Sequence, residues 1–173
     1  MAIVYLGLGS NLGDRAANLR LAVDKLDSGP VRILRTSFLY ETNPVGVTEQ
    51  PVADYLNCAV ESETNLTPSA LLFYVKNIER SLGRFETFRW GPRVIDIDIL
   101  LFEDVTLDSE ELSIPHPRLC ERKFVLIPLL ELNPDLTLPD GRRLASLLDS
   151  SKLADQSIRK IRESIAASKT ISA

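Results

Sequence analysis

Arg89-Trp90-Gly91-Pro92-Arg93-Val94-Ile95-Asp96-Ile97-Asp98 joins a cationic turn directly to two carboxylates set two residues apart. From Ile95 to Phe102 the chain reads as a strand, in which successive side chains point to opposite faces. Asp96 and Asp98 therefore share one face, while Ile95, Ile97 and Ile99 share the other. Two like charges at the end of an apolar strand repel unless a cation lies between them, and paired carboxylate oxygens suit hard divalent ions such as Mg²⁺. The arginines just upstream point to phosphate, the anion that such a metal accompanies. A solvated strand face with incidental acids is the bland alternative. Asp is disfavoured in strands, and here it occurs twice on one face beside an arginine turn, which favours metal and phosphate chemistry.

Ile3 to Leu8 is a short apolar run ending in Gly7-Leu8-Gly9-Ser10-Asn11, and a helical pattern with Leu19, Val23 and Leu26 on one face follows. The glycines at 7, 9 and 13 miss the spacing of a dinucleotide fingerprint by one residue. Turn-forming glycine, Asn11 as a cap and Asp14 in the first helical turn account for the segment. Arg32 to Tyr40 reads as a second strand and Tyr55 to Glu63 as a third, with Leu56, Cys58 and Val60 on one face and Tyr55, Asn57 and Ala59 on the other. Between them, Thr42 to Pro51 is a turn-rich connection of the kind that serves as a binding loop or lid. Thr67-Pro68 opens a helix with a buried stripe of Leu71, Val75, Ile78 and Leu82, and Gly83 closes it. Arg84 to Pro92 is a second loop, Val125 to Leu132 a buried helix and Leu144 to Leu148 a last short one. The alternation of helices with hairpin-like strands predicts a two-layer α+β sandwich.

A chain of 173 residues with 45% hydrophobic content is enough for one domain with a sizeable core. A net charge of −4 makes nucleic acid a poor default partner. Two cysteines without paired spacing, Cys58 and Cys120, argue against a disulfide scaffold or a zinc site, and with no signal-like or membrane-length apolar run the expected location is cytoplasmic. The polar tail from Ser150 is expected to pack loosely. His116 lies between two prolines and beside Arg118, which leaves phosphate contact and a structural role equally open. Tyr55 and Phe124, taken alone, read as core packing.

Gly9-Ser10-Asn11, Tyr40 to Gly46, Gln50-Pro51, Tyr55-Leu56-Asn57, Glu79 with Gly83-Arg84, Arg89 to Arg93 with Asp96 and Asp98, and Pro115-His116 with Arg122 and Phe124 occur in order and at set spacings. In these motifs the chain, from about residue 3 to 148, resembles the 6-hydroxymethyl-7,8-dihydropterin pyrophosphokinases of folate biosynthesis. The resemblance implies a ferredoxin-like sandwich with long mobile active-site loops, in a domain over 1–149 followed by a polar tail over 150–173. It implies transfer of the β,γ-diphosphate of ATP to the pterin hydroxymethyl group with two Mg²⁺ ions. A monomer acting on these small molecules, with no membrane or nucleic-acid partner, is the expected state. By the same resemblance, Asp96 and Asp98 hold the metal, with Asp96 also near the substrate. Arg84 and Arg93 are catalytic and, with Trp90, His116 and Arg122, contact ATP. Thr42, Val45, Tyr55, Asn57, Trp90 and Phe124 line the pterin site.

Some positions depart from the family pattern. Pro117 follows His116 where some members carry tyrosine, and Glu111 stands where others carry a cation, so the resemblance supports no nucleotide contact from either. The segment Phe85 to Phe88 holds Glu86 and no lysine, which puts more of the phosphate binding on Arg84 and Arg89. A metal-dependent nucleotidyltransferase would also use paired aspartates and arginines but would transfer AMP. A non-enzymatic ferredoxin-like binding module would share only the fold.

Overall fold

The computed structural model describes residues 1–44, 53–83 and 92–165. The N-terminal apolar run forms β1 (Ala2–Ser10), and α1 (Arg15–Asp27) follows. Asp14, not Asn11, caps this helix: its carboxylate accepts the Ala17 N–H at 3.0 Å. The single strand expected over Arg32 to Tyr40 is instead two, β2 (Val31–Thr36) and β3 (Phe38–Thr42). They break at the fully buried Ser37, whose N–H donates to the Ala59 carbonyl and whose hydroxyl accepts the Ala59 N–H, each at 2.9 Å. A serine oxygen standing in for a backbone acceptor ends a ladder without disturbing the hydrophobic pattern, so periodicity does not reveal it.

β4 (Tyr55–Thr64) leads into α2 (Pro68–Ser81), capped by Thr67, which accepts the Ala70 N–H at 3.3 Å. Past its end Gly83 adopts the left-handed φ of +88° that favours glycine. Leu71, Val75 and Ile78 of α2 are buried, each stabilising the fold by about 1.5–3 kcal/mol. The acidic strand is β5 (Asp96–Phe102), and a small hairpin of β6 (Leu107–Asp108) and β7 (Ser113–Ile114) follows. α3 (Lys123–Leu132) is the buried helix expected from the apolar run, the segment at Leu144–Leu147 is a 3₁₀ turn, and β8 (Arg159–Ser164) closes the described chain.

Among the described residues the main sheet runs β5-β1-β4-β3-β8, with β2 also on β4 and every pairing antiparallel. α1 and α2 cover one face, where Leu19, Val23, Leu71 and Val75 pack with Cys58, Val60, Ile97 and Ile99. This is the expected α+β sandwich, and the apolar face of β5 lies in its core. α3 adds a partial layer on the opposite face, where Leu126, Leu129 and Leu132 pack with Tyr5, Ala59 and Leu100.

The expectation of a loose tail is corrected for residues up to 165. Leu153 and Ile165 are buried, and β8 pairs along β3 from Phe38↔Ser164 to Glu41↔Arg159. Sparse apolar content hid this, because an edge strand needs only backbone partners and a few anchors, here Ile161 and Ile165.

Candidate active site

Beside α3, the second face of the sheet carries a cavity of about 330 Å³. Its floor is β1. Gly9 lies level with Asn57 on β4 and Asp96 on β5, and Gly7 lies level with Ala59 and Asp98. A Cβ on Gly9 would sit 2.9 Å from Asn57 Oδ1, and one on Gly7 would sit 3.2 Å from Leu100 Cδ1. These glycines sit inside a strand and leave the floor bare. They do not make the turn expected of them, and a single sequence holds no signal that separates the two roles.

Asp96 and Asp98 both line the cavity, as their spacing requires. Asp96 Oδ2 accepts from Arg93 Nη1 at 2.8 Å. Burial opposes the charge of Arg93, but Asp96, together with Tyr55 and Asp98, outweighs it and raises the guanidinium pKa. Arg93 is anchored through its backbone: its N–H donates to Asn11 Oδ1 at 2.7 Å and its carbonyl accepts the Asn11 N–H at 3.1 Å. Asn11, expected to cap a helix, instead fixes the chain that enters β5. Asp98 has His116 Nε2 and Arg122 Nη1 each at 3.9 Å, close but beyond hydrogen-bond distance. Burial, and then the charge of Asp96, hold the Asp98 carboxyl above the usual carboxylate range. Lys76 and Arg122 oppose this rise without cancelling it.

His116 Nδ1 accepts the Arg118 N–H at 3.1 Å, which assigns the proton of the neutral ring to Nε2, on the side of Asp98. Burial lowers the His116 pKa despite the attraction of Asp98. Burial also lowers Arg122, whose guanidinium lies 5.5 Å from the centre of the Phe124 ring. Also in the cavity, Asn57 Nδ2 donates to Thr42 Oγ1 at 2.9 Å, with Tyr55 and Phe124 as half-buried walls. The two rings line the cavity and are not fully buried core.

The cavity therefore brings together Thr42, Tyr55, Asn57, Arg93, Asp96, Asp98, His116, Arg122 and Phe124. Arg84, Trp90 and Val45 lie outside the described residues. Arg118 lines the cavity too, which its place beside His116 hinted at. Glu79 is one of the motif residues of the sequence. It is 1% exposed and accepts the Ile97 N–H at 2.6 Å, gripping β5 between the two aspartates. Its second contact, Lys76 Nζ at 3.1 Å, offsets its charge. Among the described residues no group of three or more His, Cys, Asp or Glu could hold a metal alone. Two oxygen-donor carboxylates that line one cavity fit a hard divalent ion, whose remaining ligands would come from phosphate and water.

Antiparallel strands in this order, a carboxylate pair with arginines and an aromatic-walled pocket together define a ferredoxin-like α+β enzyme of phosphoryl-group transfer. A family model described as 7,8-dihydro-6-hydroxymethylpterin-pyrophosphokinase (HPPK) matches residues 5–134, and the chain belongs to this family. It is 49% identical over 131 residues to the 2-amino-4-hydroxy-6-hydroxymethyldihydropteridine pyrophosphokinase of Bacillus subtilis, covering 75% of this chain and 77% of that one. With the enzyme of the same name from Methylorubrum extorquens it shares 48% over 139 residues, 80% of this chain and 87% of the relative. The Plasmodium falciparum HPPK-DHPS wild type with pteroate superposes at a TM-score of 0.65 and 20% identity. That match covers 84% of this chain but 41% of the solved one, so the chain spans under half of the longer protein, and the likeness is one of fold.

Proposed function

We propose that this chain carries out its family's reaction in the cavity over Gly7 and Gly9. The β,γ-diphosphate of ATP is transferred to the hydroxymethyl group of 6-hydroxymethyl-7,8-dihydropterin, which yields AMP and the pterin diphosphate in folate synthesis. The observation that carries this assignment is one cavity lined by Asp96 and Asp98 from β5, by Tyr55 and Asn57 from β4 on the other side of β1, by Thr42 from β3 and by Phe124 from α3. Gly9 stands between Asn57 and Asp96.

Asp96 and Asp98 would hold Mg²⁺, in two ions. Bound Mg²⁺ supplies neutralisation of the triphosphate and polarisation of the β-phosphorus. The work of the chain is then to position the substrates. Tyr55 and Phe124 stack on the flat pterin, and Asn57, oriented by Thr42, reads its hydrogen-bonding edge. Arg93 presents a guanidinium beside Asp96, where phosphate oxygens arrive. Neutral His116 offers its Nε2–H as a donor without drawing Asp98 into a tight pair, and Arg122 adds a fixed positive charge. The hydroxymethyl oxygen gives up its proton to solvent and bonds to the β-phosphorus as the bond from that phosphorus to the AMP oxygen breaks and AMP leaves. Arg84 is assigned to the phosphates alongside Arg93, Trp90 to the cover over both substrates, and Val45 to the pterin edge, all on the family resemblance.

One chain supplies all of these cavity residues, which supports a monomer, and the cytoplasm is the assigned location. Among the described residues no helix is long and apolar enough to cross a membrane. The test is AMP release from ATP with and without the pterin. Pterin-dependent AMP formation is expected. Diphosphate release instead would point to nucleotidyl transfer, and no turnover to a binding module.

A further inference from the structure

Strand β8 lies beyond residues 5–134, the stretch the family pattern covers, yet it pairs along β3 as far as Glu41, the neighbour of the cavity residue Thr42. β3, which delivers Thr42 to the cavity, is held by β4 on one side and by β8 on the other. The side-chain links concentrate at the cavity end of β3. Arg159 donates to the Glu41 carboxylate, whose other oxygen accepts from Arg15 Nη2 at 2.7 Å. Arg15 Nη1 also donates to the Asp54 carbonyl at 2.8 Å, one residue before β4. The Ser157 hydroxyl donates to Asn43 Oδ1, and Asn43 Nδ2 donates to Asp54 Oδ1 at 2.9 Å. Glu41 is thus tied to β8 and Asn43 to Ser157, two residues before it, and the residue between them, Thr42, accepts the Asn57 hydrogen bond inside the cavity.

We propose that β8 is a strap that positions the pterin-recognising edge, with Arg159 and Ser157 as positioning residues that act through Glu41 and Asn43 on Thr42 and Asn57. This rests on the pterin assignment of Thr42 and Asn57 given above. The face-to-face pairing of two hydrogen-bonding side chains in a cavity requires their strands in fixed register, and a β3 held on one side only would be free to shift. Lys160, the next residue along β8, sends its side chain elsewhere: it pairs with Glu131 at 3.1 Å and lies 4.2 Å from the ring centre of Phe38, the first residue of β3. Lys160 therefore provides a control, because its side chain anchors β8 through contacts other than Glu41 and Asn43.

The test is equilibrium titration of the full chain with the pterin and, separately, with ATP-Mg²⁺, alongside thermal unfolding, for Arg159→Ala/Ser157→Ala, Arg159→Lys and Lys160→Ala. Loss of the two links should raise the pterin Kd about 5-fold, as expected for one or two charge-assisted or hydroxyl hydrogen bonds. ATP affinity should stay within about twofold, a ratio too small to reflect one lost hydrogen bond. Arg159→Lys, which keeps a cation on Glu41, should recover most of the pterin affinity. Lys160→Ala should lower Tm and leave the pterin Kd unchanged. Wild-type pterin affinity in the double variant, or equal loss of pterin and ATP affinity, would reduce β8 to an edge cover and overturn the proposal. A wild-type chain that binds ATP but not the pterin would overturn the pterin assignment itself, an outcome distinct from tight binding that the double variant retains.

Discussion

Gly9→Ala tests the construction of the site with one methyl group. The backbone at Gly9 belongs to β1 and is not among the positive-φ glycines, so alanine is conformationally admissible there. Limiting the unfolded chain in this way stabilises a protein by about 0.4–1 kcal/mol. Against that, the new Cβ would stand 2.9 Å from Asn57 Oδ1, inside the contact distance of real Cβ atoms, with Tyr55 Cδ1 next at 3.8 Å. Asn57 is buried and hydrogen-bonded to Thr42, so relief of the overlap means rotating or displacing the amide. Overpacking of this kind costs about 1–3 kcal/mol, and a strained or broken buried hydrogen bond adds roughly 1 kcal/mol. The entropic gain offsets part of this for folding and none of it for binding. Tm should therefore fall modestly, while the pterin Kd rises by about 10-fold or more, at tenfold per 1.4 kcal/mol. ATP affinity should be nearly unchanged, since the nearest atoms to the methyl group all belong to Asn57 and Tyr55. Gly7→Ala is the comparison, because its Cβ meets only the flexible end of Leu100 at 3.2 Å. Calorimetric titration with each ligand, with Tm measured in parallel, decides the matter. A pterin Kd within twofold of wild type for Gly9→Ala would refute the placement of Asn57 in pterin recognition.

Asp98→Asn should raise the Tm of the ligand-free protein and abolish AMP release. A carboxyl whose folded pKa is raised contributes stability below its unfolded pKa and loses it as pH rises through the folded value, so ionised Asp98 costs stability at neutral pH. Asp96→Asn should abolish turnover without the gain in Tm, because Arg93 loses its partner at 2.8 Å; residual turnover in either variant would remove these carboxylates from the chemistry. Tyr55→Ala and Phe124→Ala should each raise the pterin Kd by several-fold with little change for ATP, each ring contributing about 1 kcal/mol by stacking. Equal losses for both ligands would return the rings to a packing role. In acid, Glu41, held below the carboxylate range by Arg159 and then Arg15, contributes stability above the unfolded carboxylate pKa and loses it as pH falls through the folded value. The Tm profiles of wild type and Arg159→Ala should therefore differ at neutral pH and converge in acid, and parallel profiles would show that the pair contributes nothing.

Glu79 and Asn11 hold the segment that carries the two aspartates in place. The buried Glu79 carboxylate fixes the Ile97 N–H between the two aspartates, and Asn11 fixes both backbone groups of Arg93. Neither reaches a substrate by the contacts described above. Each takes part of the conformational entropy out of a segment that must present charges in a set geometry, so less is lost when the ligand binds.

The sequence alone determined the elements whose cause is local. Alternation along β5 separates Asp96 and Asp98 from the isoleucines, Thr67-Pro68 starts α2, Gly83 ends it, and the ordered motifs identify the family, because each depends on residues a few positions apart. The convergence of Thr42, Asn57, Asp98, His116 and Phe124 on one cavity was legible only through the resemblance, since contacts so far apart in the chain leave no periodic trace. What the tertiary structure decided was where empty space, buried charge and unexpected pairing fall. Gly7 and Gly9 are bare because the strands on either side bring Asn57 and Asp98 alongside them, Ser37 breaks a strand because Ala59 is opposite, and Glu79 is buried because α2 crosses β5 at Ile97. The tail becomes a strand because β3 has an edge to offer it. Backbone hydrogen bonding to an open edge requires little of the side chains, so a polar segment such as Arg159–Ser164 shows no sign of it until the sheet exists.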